Sequence, residues 1–197
     1  MKNISVLVSG GGTNFQSVID HIENGYIQNA RIALLVSSKA DAYALQRAEK
    51  HGIKSVVIGK NEYPDMEERT EAIIQALDAE NTDLVILAGY MNVVQPSLVR
   101  KYKNRIINIH PSLIPKYCGM GFYGMHVHRA VIEGKERESG ATVHFVDEGV
   151  DTGKIILQKA VEVLPGDTPE TLQQRVMEQA EWILLPQAVE MVSKGAI

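Results

Sequence analysis

The chain has 197 residues, 45% of them hydrophobic and 22% charged, with a formal net charge of −4. A chain of this size and composition can bury a core, which argues against a disordered, collagen-like or membrane chain. Its longest apolar stretch, Leu84 to Ala88 extended by Gly89 to Met91, is far short of the roughly 18 residues a spanning helix needs, so no membrane partner is expected.

The first half alternates strand and helix signals. Ile4 to Val8 reads as a buried strand, broken by Gly10-Gly11-Gly12. Asn14 to Glu23 follows with Phe15, Val18, Ile19 and Ile22 at helical spacing. Ile32 to Val36 reads as a strand, Asp41 to Lys50 as a helix stopped by Gly52, and Val56 to Ile58 as the end of a third strand. Pro64 opens a helix predicted to run to about Glu80, with Asp65, Glu67 and Glu68 near its positive end. Leu84 to Ala88 is a wholly apolar strand.

Successive βα units imply a parallel sheet with helices on both faces. Ligands then bind beyond the carboxyl ends of the strands, which points to the loops after Val8, Ala88 and Ile109.

The second half differs. Arg105 to Ile109 reads as a strand leading into His110-Pro111, and a loop rich in Pro, Gly and Tyr runs on to Gly124. A short helix is predicted over His126 to Glu133, and strands over Thr142 to Val146 and Ile155 to Val163. The last helix starts with Thr168 as N-cap and Pro169 at its first position. It carries Leu172, Val176, Ile183 and Val189 on one side, and a kink is expected at Pro186.

Four sites are candidates for chemistry. Ser9 to Asn14 joins a strand to a helix through three glycines, which lets backbone N–H groups and the helix N-terminus cradle a phosphate. It is not a Walker loop, and Phe15 stands where a dinucleotide fingerprint needs its third glycine. Asn108 and His110 lie two apart on a strand, so both side chains share a face. An amide donor and an imidazole there can stabilise an oxyanion and shuttle a proton. His126 and His128 are badly spaced for one metal on a helix, and no HExxH or paired cysteines accompany them, so no metal is expected. Finally, Val146 to Gly153 is an acidic loop. One of Asp147, Glu148 and Asp151 can fold back on His110, and a carboxylate there is expected to raise the imidazole pKa. Spacing does not choose among the three.

Partners and compartment follow from the remaining residues. The Lys and Arg residues form no dense stripe, which argues against nucleic acid. Cys118, the single cysteine, reads as a loop cysteine in a reducing, cytoplasmic setting. The N-terminus has no apolar segment ahead of a small-residue cleavage site, so no signal peptide is expected.

Taken together, Ser9 to Asn14, Ala88-Gly89-Tyr90-Met91, Asn108 to Pro115, His144 to Gly153 and Gly166-Asp167-Thr168 resemble the phosphoribosylglycinamide formyltransferases across nearly the whole chain. The resemblance implies a Rossmann-like three-layer α/β fold. Its mostly parallel sheet would have about seven strands, antiparallel in the C-terminal part. Residues 1–197 would form one formyltransferase domain, with a phosphate-binding half (1–100) and a catalytic, folate-binding half (101–197). Gly12, Thr13 and Asn14 would hold the phosphate of glycinamide ribonucleotide. Met66, Met91, Asn92, Val93, Val94 and Asn108 would contact the co-substrate 10-formyltetrahydrofolate. Asn108, His110 and Asp151 would be catalytic, Asp151 being chosen over its acidic neighbours by the resemblance alone. No metal is implied, and the chain would be a monomer or homodimer.

The chain departs from the pattern at Asn92, usually Arg, at Met66, near a commonly basic position, and in the longer loop Gly119 to Met125. The alignment of Glu181 with a family glutamate near the ribonucleotide stays open. Two rivals remain. A formyltetrahydrofolate deformylase would share the catalytic group but normally carries an N-terminal domain, and the length favours the transferase. A non-catalytic nucleotide-binding module would not need Asn108, His110 and Asp151 together.

Overall fold

Residues 1–197 are described by a computed structural model. The elements in order are β1 (Lys2–Val8), α1 (Thr13–Glu23), β2 (Ala30–Ser37), α2 (Tyr43–Lys50), β3 (Ser55–Val57), α3 (Met66–Ala79), β4 (Leu84–Leu87) and α4 (Pro96–Lys101). There follow β5 (Ile106–His110), α5 (Met125–Glu133), β6 (Glu138–Phe145), β7 (Ile155–Glu162), α6 (Pro169–Val176) and α7 (Trp182–Ser193). A π-helical turn, Met177–Glu181, joins α6 to α7.

All seven strands form one sheet in the order β3-β2-β1-β4-β5-β6-β7. The first five run parallel, β6 is antiparallel to β5, and β7 is antiparallel to β6. The expected three-layer α/β fold is thus present. Central strands rich in Val, Ile and Leu are buried on both faces, as parallel strands covered by helices must be. The larger core lies under α1, α2, α5, α6 and α7, and the smaller under α3 and α4. β7 is the half-exposed edge.

The order reverses between β1 and β4. The chain winds outward from β1 to β3, then returns to β4 on the other side. Loops leaving the two carboxyl ends part there and open a crevice, the usual ligand position in such sheets. Ser9–Gly12 leaves one strand and Ala88–Val94 the other.

Three expectations are corrected. Pro64 lies outside α3; Asp65 is the N-cap, and its carboxylate accepts from the Glu67 and Glu68 N–H groups. The short helix α4, with Pro96 in its first turn, was not expected. The last helix is not one helix bent at Pro186. The π turn inserts an extra residue and shifts the buried stripe, so Leu184 and Leu185 are buried while Ile183 is 37% exposed. Pro186 lacks an N–H, which frees the Trp182 carbonyl; that oxygen accepts from Ser17 Oγ at 2.9 Å, tying α7 to α1.

Candidate active site

β5 ends at the floor of the crevice. Asn108 and His110 alternate with buried isoleucines and face the same cleft. β6 pairs so that His144 lies directly across from Asn108. The loop from β6 to β7 then brings Asp151 over all three. It turns tightly: a Cβ on Gly153 would lie 1.7 Å from the Phe145 carbonyl oxygen, so only glycine fits. Asp151 itself is left-handed at φ 57°, a conformation of the kind held in place only where surrounding contacts over-determine it.

The contacts define the proton positions. His110 Nε2 lies 2.9 Å from the Tyr117 carbonyl, which only accepts, so Nε2 carries the hydrogen. His110 Nδ1 therefore faces Asp151 Oδ2, at 3.6 Å. His144 Nδ1 donates to the Phe145 carbonyl at 2.8 Å, which leaves its Nε2 to accept from Asn108 Nδ2 at 3.2 Å. Asn108 Nδ2 also reaches Asp151 Oδ1 at 3.4 Å, and the Gly119 N–H donates to Asp151 Oδ2 at 2.9 Å. The segment after His110 thus grips both the imidazole and the carboxylate through its backbone.

Burial, not charge, decides the state of His110. The ring is 4% exposed, and desolvation pulls its pKa below the ordinary value, although Asp151 and the Tyr117 carbonyl pull upward. The upward pull expected of Asp151 is thus present but outweighed by burial, which favours the neutral ring. Burial would raise the Asp151 pKa, but the contacts around the carboxylate, the Gly119 N–H among them, hold it below the usual carboxylate range. Burial and then Asp151 push the Cys118 thiol up, so it is an unactivated loop cysteine.

The Ser9–Asn14 loop adjoins the Met91 side of this cleft. Gly12 is left-handed at φ 70°, and a Cβ there would lie 2.7 Å from Ala44 Cβ. Ser9 Oγ lies 2.6 Å from Ser38 Oγ and accepts from the Met91 N–H at 2.9 Å, linking this loop to the Gly89–Val94 segment. Asn14 Nδ2 donates to Glu181 Oε2 across the core. Glu181 is 6% exposed, and burial raises its carboxyl pKa to about 7. The π turn is what places Glu181 there, a common position for such turns at functional sites.

Met91, Asn92, Val93 and Val94 line the same cleft as Asn108, His110 and Asp151. Across from them runs Gly119–Gly124, with Met120 and Tyr123 exposed on the rim. Met66 does not reach this cleft; it borders a separate small pocket with Arg69, Tyr90 and Asn92. His126 packs edge-on against Tyr123, while His128 is 1% exposed and held near pKa 4 by burial and then by His110.

Sequence reasoning missed the place of His144 and the backbone grips at Tyr117 and Gly119. His144 emerges only from the β5–β6 register, which no local pattern encodes.

Known proteins match over the same span. Residues 2–189 fit the family described as formyl transferase. Haemophilus influenzae phosphoribosylglycinamide formyltransferase is 40% identical over 197 residues, covering 100% of this chain and 90% of that protein. The trifunctional purine biosynthetic protein adenosine-3 of Drosophila pseudoobscura pseudoobscura is 43% identical over 100% of this chain, which spans only 14% of that protein's length. The crystal structure of glycinamide ribonucleotide transformylase 1 from Symbiobacterium toebii matches with a TM-score of 0.92 at 40% identity, over 99% of this chain and 89% of the other. Fold and likeness along the whole chain agree: this chain belongs to the phosphoribosylglycinamide formyltransferase family.

Proposed function

We propose that this chain transfers the formyl group of 10-formyltetrahydrofolate to the amine of glycinamide ribonucleotide, a step of purine biosynthesis. The observation that carries this reading is the convergence of Asn108, His110 and Asp151 at the floor of a cleft bordered by Met91–Val94. The name of the Haemophilus influenzae relative supplies the acceptor and the formyl group, and the folate donor is what the family resemblance implies.

Each substrate has a fitting wall. The free N–H groups of the glycine loop suit the ribonucleotide phosphate, with Gly12, Thr13 and Asn14 as its contacts. The apolar lining at Met91, Val93 and Val94, with the polar groups of Asn92 and Asn108, suits a flat folate ring system. Met66 stands back from that cleft and contributes only through Asn92 and Val94, its neighbours in the adjoining pocket. Residues 1–100 then supply the phosphate loop, and residues 101–197 the catalytic group.

The amine nitrogen attacks the formyl carbon, and negative charge develops on the formyl oxygen. Asn108 Nδ2 turns one N–H to that oxygen; its present contacts, at 3.2 and 3.4 Å, are long and exchange at small cost. Removing one such donor typically costs ~10²–10³ in rate. His110 begins neutral with its lone pair on Nδ1, so it takes the proton leaving the amine. Asp151 stabilises the resulting imidazolium. The same proton then passes to the departing folate nitrogen as the carbon–nitrogen bond breaks, and His110 returns to neutral.

No group of three His, Cys, Asp or Glu side chains gathers as a metal site, and the proposed steps use none. No helix is long and apolar enough to cross a membrane. Free Cys118 supports a cytoplasmic setting.

Release of tetrahydrofolate, followed with and without the ribonucleotide, tests this reading. Turnover should require the amine. Equal turnover without it would instead mark a deformylase.

A further inference from the structure

We infer that Arg47, on α2, is a positioning residue for the ribonucleotide phosphate: it pins the Gly11 carbonyl and thereby aims loop N–H groups at the ligand. The inference rests on the phosphate reading of the Ser9–Asn14 loop proposed above.

Two carbonyls of the loop are held by α2. The Ala44 N–H donates to the Gly10 oxygen at 3.2 Å, and Arg47 Nε donates to the Gly11 oxygen at 2.8 Å. In a planar trans peptide the N–H points opposite to the C=O. The Gly11 N–H shares its peptide with the Gly10 carbonyl, and the Gly12 N–H shares its peptide with the Gly11 carbonyl. Pinning both carbonyls to α2 therefore turns both N–H groups away from it. Neither of them, nor the Thr13 N–H, has a partner within the protein. Three unpaired donors at the start of α1 make an anion cradle, and α2 fixes their direction.

Arg47 is itself braced. Its Nη1 donates to Gln16 Oε1 at 3.1 Å, and its guanidinium lies 5.0 Å from the Tyr43 ring centroid. These partners are an amide and an aromatic face, so no carboxylate cancels the charge. The α2 backbone sits so close to the loop that Gly12 has no room for a side chain. A small shift of Arg47 thus reaches the loop directly, with no intervening layer to absorb it.

The test uses ribose 5-phosphate binding by titration calorimetry, with KM for each substrate and a thermal melt beside it. Arg47→Met keeps the stem over Tyr43 and removes both hydrogen bonds. Arg47→Lys keeps the charge without the planar fork. The expected result is about tenfold weaker ribose 5-phosphate binding in Arg47→Met, the size of one charge-assisted hydrogen bond. The ribonucleotide KM should rise in parallel, the folate KM should stay put, and Arg47→Lys should recover little. Unchanged affinity in folded Arg47→Met overturns the inference. So does full affinity in Arg47→Lys, which would assign the effect to charge alone and carries the test should the Met variant not fold. An equal rise in both KM values marks a general structural role and also overturns it. Failure of the unmutated protein to bind ribose 5-phosphate overturns the phosphate reading itself, a separate outcome.

Discussion

Asp151 Oδ2 lies 3.6 Å from His110 Nδ1, while the Gly119 N–H donates to that same oxygen at 2.9 Å. The carboxylate is thus anchored by the backbone and not by the imidazole. It stands close enough to stabilise a proton arriving on Nδ1, yet outside direct hydrogen-bond range before that proton arrives. In the proposed mechanism such a pair accepts a proton during the reaction instead of carrying one beforehand.

Removing either partner should therefore strike the chemical step. His110→Ala and Asp151→Asn are each expected to lower kcat by ~10² or more, the usual size for general acid–base groups. Circular dichroism should show both folded. A near-normal kcat in either would remove that residue from the mechanism.

The charge state of His110 is directly measurable. Burial, outweighing Asp151, places its pKa below the ordinary histidine value. Titration of its ring resonances by NMR should give a midpoint below about 6.5. Asp151→Asn should lower it further, because the carboxylate is the upward pull. A midpoint above about 6.5 would restore the protonated starting state.

His128 should make the fold acid-sensitive. Its pKa falls from 6.5 to about 4 on burial, so the unfolded chain binds the proton first as pH drops. This contribution is intact above pH ~6.5 and is lost as pH falls toward ~4, by up to about 3 kcal/mol. Chemical denaturation of His128→Leu should show a shallower loss over that range. Parallel curves for variant and parent would contradict the buried neutral ring.

Glu181 should act in the opposite direction. Its carboxyl pKa is raised to about 7, so the folded chain holds a proton the unfolded chain has released. Stability then falls as pH rises from about 4.5 to about 7, again by up to about 3 kcal/mol. Glu181→Gln should gain on the parent across that window. A constant difference would show that Glu181 ionises normally.

Much of this molecule was legible in its residues, and the limits have physical causes. Short-range signals carried the first half: Ile4–Val8, the glycine break and the Phe15–Val18–Ile22 stripe set β1, the loop and α1 close to where they stand. Asn108 and His110 shared a face because strand periodicity is strict. Long-range pairing was silent. Nothing local to His144 announces that it faces Asn108, since that depends on the antiparallel register of β6. Nor does spacing single out Asp151, whose left-handed backbone aims it where Asp147 and Glu148 do not point. The π turn escaped because the Leu172–Val176–Ile183 stripe satisfies an ordinary helix, and only packing reveals the inserted residue.

The most direct test of the account follows the formyl carbon itself. With 10-formyltetrahydrofolate labelled at that carbon, one turnover should move the label onto the glycinamide ribonucleotide amine, one formyl per folate released. Label recovered as free formate, whether or not the amine is present, would contradict the transfer.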